Sequence, residues 1–191
     1  MPRTPIQIQQ LRERRRTELV AAALAVFART GYEGASIRAI AHEAGVAQGL
    51  LYNYFPSKEV LLRAIFEASM NDVRAAFAQA AATSIPQQAI EQLLRSSFSI
   101  LDSHRDFWRL SYSVRMQPTV LEVIGDVIHE WTTMITATLE AHLHALHVAD
   151  APIEAVMLFA QIDGIAQHYV LDPNHFPLKA VITKLVARYT K

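Results

Sequence analysis

Between Ser36 and Lys58 the apolar positions recur with a helical period, stop at a glycine and then resume, which predicts two short helices joined by a tight turn. Ile37, Ile40, Ala41 and Ala44 stand at i, i+3, i+4 and i+7, with Ser36 as N-cap and Arg38, His42 and Glu43 facing out. Gly45 falls where the first helix must end and turn, a place for the left-handed backbone that glycine adopts without a Cβ clash. Val46 then fills the angle between the helices. The second helix, about Ala47 to Phe55, buries Leu51 and Phe55 and leaves Gln48, Gly49, Tyr52 and Asn53 on its opposite face.

Past Lys58 the predicted helices lengthen. Leu61, Leu62, Ile65, Phe66, Met70, Val73 and Phe77 trace an amphipathic helix that ends before the stretch Ser84 to Gln88. Pro86 suits the first turn of the next helix, which holds Ile90, Leu93, Leu94, Phe98 and Leu101. A short segment from Phe107 to Met116 precedes Pro118. A long one then runs from Thr119 to about Leu146, apolar on more than one side and therefore expected in the middle of the body. Two last helices span about Pro152 to Val170 and Pro177 to Tyr189, and each shows a second apolar side that needs a partner. The fold class is all-α.

The face with Gln48, Tyr52 and Asn53 offers the hydrogen-bonding groups with which side chains read base edges in a major groove. Here the sequences AGVAQGLLYNYFPSKEVLL and, upstream, VFARTGYEGASIRAIA resemble the TetR/AcrR family of one-component transcriptional regulators, with order and spacing intact from Phe27 through Leu62. The resemblance implies an N-terminal three-helix helix-turn-helix DNA-binding domain over residues 1–58 and a helical ligand-binding and dimerisation domain over 59–191. It implies a repressor that binds a palindromic operator as a homodimer and is released by a small apolar or amphipathic effector. By position, Tyr54, Lys58 and Ser36 match the family's phosphate contacts, and Arg38, Gln48, Gly49, Tyr52 and Asn53 match positions that approach base edges. Ala47 departs from the pattern, because a serine or threonine is common there and would supply both a cap and a phosphate contact.

The middle helices supply Phe66, Met70, Phe98, Phe107, Trp108, Tyr112, Trp131 and Met134, more aromatic and sulfur surface than a tight small core requires, so a ligand pocket is expected among them with Arg109, Arg115, Gln161 and His168 as candidate polar anchors. The second apolar sides of the last two helices carry Ile153, Met157, Ala160 and Gly164, and Leu178, Val181, Ile182, Leu185 and Tyr189. These would form a four-helix dimer interface, as in the family. Gly164 costs on the order of 1 kcal/mol within a helix, which close helix approach could offset.

Composition narrows the alternatives. The 191 residues carry a formal net charge of zero, which is not the profile of a bulk polyanion binder. The charge is uneven, however: residues 1–60 hold eight Lys and Arg against five Asp and Glu, and the rest has an acidic excess of three. Arg12, Arg14, Arg15 and Arg16 add to the basic end, as an arm that could reach a DNA backbone or minor groove, behind about ten mobile leader residues that include Pro2 and Pro5. There is no cysteine, so disulfides, thiolate metal sites and a cysteine nucleophile are excluded. No nucleophile motif, glycine-rich phosphate loop or carboxylate pair is visible, so neither an enzyme nor a cofactor is expected. No stretch has transmembrane length, and a cytoplasmic location is expected. His142, His144 and His147 invite a metal-sensing alternative, but nothing completes a closed zinc set. A helical protein-interaction module is the other alternative.

Overall fold

The computed structural model describes residues 4–81, 83 and 85–190, apart from the side chains of residues 72, 76, 77 and 79–81. The described residues form helices and no strands: α1 (Pro5–Gly34), α2 (Ile37–Glu43), α3 (Gln48–Tyr54), α4 (Lys58–Ala81), α5 (Pro86–Ser103), α6 (Arg105–Val114), α7 (Pro118–Ala145), α8 (Ala151–Leu171) and α9 (Leu178–Val186). The chain divides into two compact units. One comprises the chain up to Ala68 with Leu110–Gly125; the other comprises Ser69–Arg109 and the chain from Asp126 onward. The first unit thus extends beyond a division at residue 58, and α4, α6 and α7 each contribute residues to both.

From Thr4 onward the leader is ordered where the sequence suggested mobility. Thr4 accepts from the Gln7 N–H at 3.3 Å while Gln7 Oε1 accepts from the Thr4 N–H at 3.0 Å, a reciprocal cap with Pro5 at the first helical position. Those bonds satisfy donors that a helix start leaves orphaned, which is why the helix begins at Pro5 rather than ten residues in. Pro2 lies outside the described residues, as does Ser84 and as does the side chain of Phe77.

In the first unit, Leu19, Ala23, Val26 and Phe27 of α1 share a core with Ile40 and Ala41 of α2, Leu51 of α3, Phe55, and Leu61, Leu62 and Ile65 of α4, none more than 2% exposed. Each large side chain removed from water there contributes about 1.5–3 kcal/mol. Gly31 (φ 74°) breaks α1 in its last turn, and Tyr32 folds back onto Phe27 with ring centroids 5.4 Å apart.

In the second unit, Ile90, Leu93, Leu94, Phe98 and Leu101 form the buried stripe of α5, and Ala155, Leu158, Ala166, Tyr169 and Val170 that of α8. Helix α7 is less central than its sequence predicts. It buries one stripe through Val120, Ile124, Val127, Trp131, Ile135, Leu139 and Leu143, but leaves Leu121 40% exposed and Ile128 half-buried. No helix among the described residues is long and apolar enough to cross a membrane.

Candidate functional site

The helix-turn-helix is built as its sequence implies. The Ser36 hydroxyl accepts from the Ala39 N–H at 3.1 Å and caps α2. Gly45 takes φ 64°, and its N–H and that of Val46 donate to the carbonyls of His42 (3.1 Å) and Ala41 (2.9 Å). This pairing terminates α2 and aims α3 away from it. Leu51 and Phe55 pin α3 to the core. Gln48, Gly49, Tyr52 and Asn53 therefore share an exposed face, with Tyr52 49% exposed, and a Cβ built on Gly49 would meet nothing within 4 Å. Arg38 is exposed on α2, and Tyr54 is half-buried. Ala47 caps α3 with its backbone alone, so the N-terminal N–H groups of that helix have no side-chain cap and face outward.

Lys58 has a second task. Its Nζ donates to the Tyr32 carbonyl at 3.0 Å and lies 4.3 Å from the centroid of the Tyr32 ring, tying the start of α4 to the end of α1. An ammonium has three protons, so a phosphate contact is compatible with this bond. The Tyr32 hydroxyl donates to Glu59 at 3.4 Å, and burial, then the Glu59 and Glu33 charges, push its phenol up to about 12. Glu59 is held below the usual carboxylate range, first by the Ser57 hydrogen bond.

The basic arm of α1 splits into two kinds of arginine. Arg14 and Arg15 both pair with Glu18, at 3.2 and 2.9 Å. Arg12 and Arg16, one turn apart, have no acidic partner among the described residues, and the Arg16 guanidinium lies 5.2 Å from the centroid of the Phe55 ring, at the end of α3. The sequence signal for this split was Glu18, four residues after Arg14 and three after Arg15.

Among the described residues, aromatics of the expected ligand pocket pack against one another. Phe107 and Trp108 stack edge-on at 5.2 Å, Trp108 and Trp131 lie 5.3 Å apart, and the void beside Met70, Val127, Trp131 and Met134 measures about 10 Å³. That is room for one water at most. Trp131 Nε1 is buried with no hydrogen-bond partner among the described residues. Phe66 and Tyr112 belong to the other unit, where Phe66 is fully buried and Tyr112 lies under the Arg115 guanidinium at 4.4 Å. Gln161 accepts from Arg188 at 2.7 Å, and His168 is solvent-exposed; neither lines that void.

An open groove lies elsewhere in the second unit, about 1190 Å³, between α5, the end of α8 and α9. Of the expected pocket residues, Phe98 lines it, together with Leu178 and Ile182, which the sequence placed at a dimer interface. Asp102 and Tyr169 also line it; the Tyr169 hydroxyl donates to Asp102, whose carboxyl is thereby held below its usual range. This groove brings residues from position 95 to position 187 together, a juxtaposition that no local pattern encodes.

The expected interface is divided in the same way. Ile153, Val156 and Met157 are 64%, 56% and 51% exposed, Ala160 is exposed, and Gly164 faces open space within the chain. Leu185, by contrast, is 4% exposed inside its own chain, and the half-buried Tyr189 donates to Glu154 at 2.6 Å; these two are committed to internal packing. Val181 is half-buried. Among the described residues no three metal-ligating side chains converge, and His144 faces Glu140 at 3.7 Å.

An exposed reading helix set by a glycine turn and flanked by unpaired cations defines a helix-turn-helix DNA-binding protein. Residues 19–65 match the family described as bacterial regulatory proteins, tetR family. The chain is 30% identical over 183 residues to the HTH-type transcriptional regulator PksA of Bacillus subtilis, covering 91% of this chain and 89% of that one. It is 31% identical to the HTH-type transcriptional regulator BetI of Vibrio vulnificus, over 84% of this chain and 83% of that one. Its fold is similar to that of FadR from Bacillus subtilis solved in complex with stearoyl-CoA, with a TM-score of 0.76 at 19% identity, over 92% and 97% of the two chains. The chain belongs to the TetR family and is a DNA-binding transcriptional regulator.

Proposed function

We propose that this regulator is a ligand-responsive repressor that binds a palindromic operator as a homodimer, with residues 1–58 reading DNA and 59–191 binding effector and partner. The outward face of α3 carries the reading: Gln48, Tyr52 and Asn53 are exposed on a helix whose other side is pinned by Leu51, and nothing among the described residues covers them. Two such helices standing about 34–36 Å apart would enter successive major grooves. Glutamine and asparagine can each pair with adenine, and Arg38 with guanine, while Ser36, Tyr54 and Lys58 hold phosphates. Helix α4 continues from one unit into the other, so a ligand that favours one arrangement of it lowers operator affinity, and operator lowers ligand affinity by the same factor. The effector is small and apolar or amphipathic; among the relatives, FadR from Bacillus subtilis takes stearoyl-CoA.

Selection of sequences from a randomised duplex pool by the purified protein tests this reading. The expected product is an inverted repeat bound by two protomers. Equal retention of all sequences, or binding insensitive to salt, would exclude it, because phosphate contacts release counterions and make DNA affinity fall steeply with salt.

A further inference from the structure

Two residues on the outward face of α3 are left unexplained by packing within the chain. Gly49 stands inside a helix, where glycine is destabilising relative to alanine, and its backbone is helical, unlike that of the turn glycine Gly45 at φ 64°. A Cβ built on Gly49 meets nothing within 4 Å, so no neighbour among the described residues requires its absence. Leu50, the next residue, remains 38% exposed while Leu51 is fully buried. An isolated exposed leucine is ordinary on a protein surface; what singles out Leu50 is its place beside a glycine on the face that meets DNA. Residues 49, 50 and 53 are mutual neighbours on a helical surface, so Gly49 makes a notch walled by Leu50 and by the exposed Asn53. An apolar wall among amides and a phenol needs an apolar group opposite it, and the base edges of the major groove present one, the C5-methyl of thymine.

We propose that each half of the operator carries a thymine whose C5-methyl seats in this notch, over Gly49 and against Leu50, which makes Leu50 a specificity-determining residue. This rests on the reading of the chain as an operator-binding repressor and adds to it a base that the operator contains. Without a Cβ at position 49 the helix backbone approaches the base edges closely enough for the methyl to touch Leu50, and that contact offsets the cost of glycine to the helix. Asn53 pairs with adenine through its amide, so the two neighbouring side chains select an A·T step.

The operator selected by the purified full-length protein supplies the probe. Each thymine in it is replaced in turn by deoxyuridine, which deletes the methyl group and leaves base pairing intact, and affinity is read by fluorescence anisotropy. One thymine per half-site is expected to lose about fourfold on replacement, the worth of one buried methyl. Leu50→Ala should weaken binding to the unmodified operator and abolish the difference between thymine and uracil at that position, since both changes remove the same contact. Gly49→Ala should raise the melting temperature by about 2–4 °C, because alanine suits a helix and finds room there, yet weaken operator binding about fivefold or more by holding the backbone off the bases. Those opposite signs separate a DNA contact from a structural role, and both positions are exposed, so neither variant disturbs the core. Indifference to uracil at every position, a uracil effect that persists in Leu50→Ala, or full operator affinity in Gly49→Ala would overturn the proposal. If the wild-type protein selects no sequence, the repressor reading fails and takes this one with it; if it selects an operator without a methyl-sensitive thymine, the notch assignment fails alone.

Discussion

At the scale of single residues, the DNA face separates into side chains that are free and side chains already engaged. The side chains of Gln48 and Asn53 are exposed and make no hydrogen bond among the described residues, so whatever they pair with comes from outside. Replacing Gln48 by alanine is expected to cost about 1–3 kcal/mol at one operator position and to relax preference there, read by binding to a panel of single-base operator variants. A loss of equal size on every variant would remove Gln48 from base reading. Lys58 is the opposite case: its ammonium already bonds the Tyr32 carbonyl at 3.0 Å. Lys58→Ala should therefore lower operator affinity uniformly and also lower unfolding free energy by about 1–3 kcal/mol, the range of a hydrogen bond to a charged group with its cation–π contact. Chemical denaturation checks the second part, and an unchanged midpoint would mean that the Tyr32 bond contributes nothing. Tyr32 itself gives a pH signature. Its phenol is pushed from 10 to about 12 in the fold, so the folded state holds the proton more tightly than the unfolded chain. The associated stability is complete below pH 10 and is lost as pH rises toward 12; Tyr32→Phe should flatten the fall in denaturation midpoint across that interval.

At the scale of helices, the arm of α1 shows what a sequence pattern can and cannot fix. Four arginines in five residues announce a basic arm, but only their pairing decides which of them meet DNA. Arg14 and Arg15 are neutralised by Glu18, whereas Arg12 and Arg16 are not, and Arg16 rests on Phe55 beside the reading helix. Removing Arg12 and Arg16 is expected to reduce the slope of log affinity against log salt by about one for each phosphate left without its cation, and removing Arg14 and Arg15 to change it little. Equal slopes for the two double variants would refute the division. The α2–α3 motif was legible because its determinants are local: a cap at Ser36, a turn at Gly45, a stripe through Ile40 and Leu51. The start of α1 was missed because a reciprocal cap by Thr4 and Gln7 outweighs the disorder that a terminal, proline-containing segment suggests. The ligand region was least legible. Phe98 and Ile182 lie far apart in sequence, and an aromatic such as Trp131 looks the same whether it lines a cavity or fills one.

At the scale of the whole molecule, the proposed palindrome reader requires a twin, and the exposed apolar strip of α8 is the surface expected to supply one. Ile153, Val156, Met157 and Ala160 lie on one exposed face of that helix, while Leu185, buried, and Tyr189, half-buried and bonded to Glu154, are occupied inside the chain. The dimer contact is thus expected to centre on α8 and to extend to Gly164, where open space allows another helix to approach. A stable interface buries roughly 800 Å² per partner, more than one helical face offers, so a pair of α8 helices must recruit neighbouring surface such as Val181. Replacing Ile153 by aspartate and Met157 by glutamate sets carboxylates against carboxylates across a two-fold axis, and both positions are exposed enough that the single chain should still fold. Sedimentation is expected to show monomers for this double variant. Operator affinity should then fall about 10²–10⁴-fold, because the second head no longer benefits from the effective concentration that its tethered partner supplies. Binding to an isolated half-site should be unchanged, since neither residue belongs to the reading unit. A variant that remains dimeric would move the interface away from α8, and one that is monomeric yet keeps full operator affinity would show that a single head suffices.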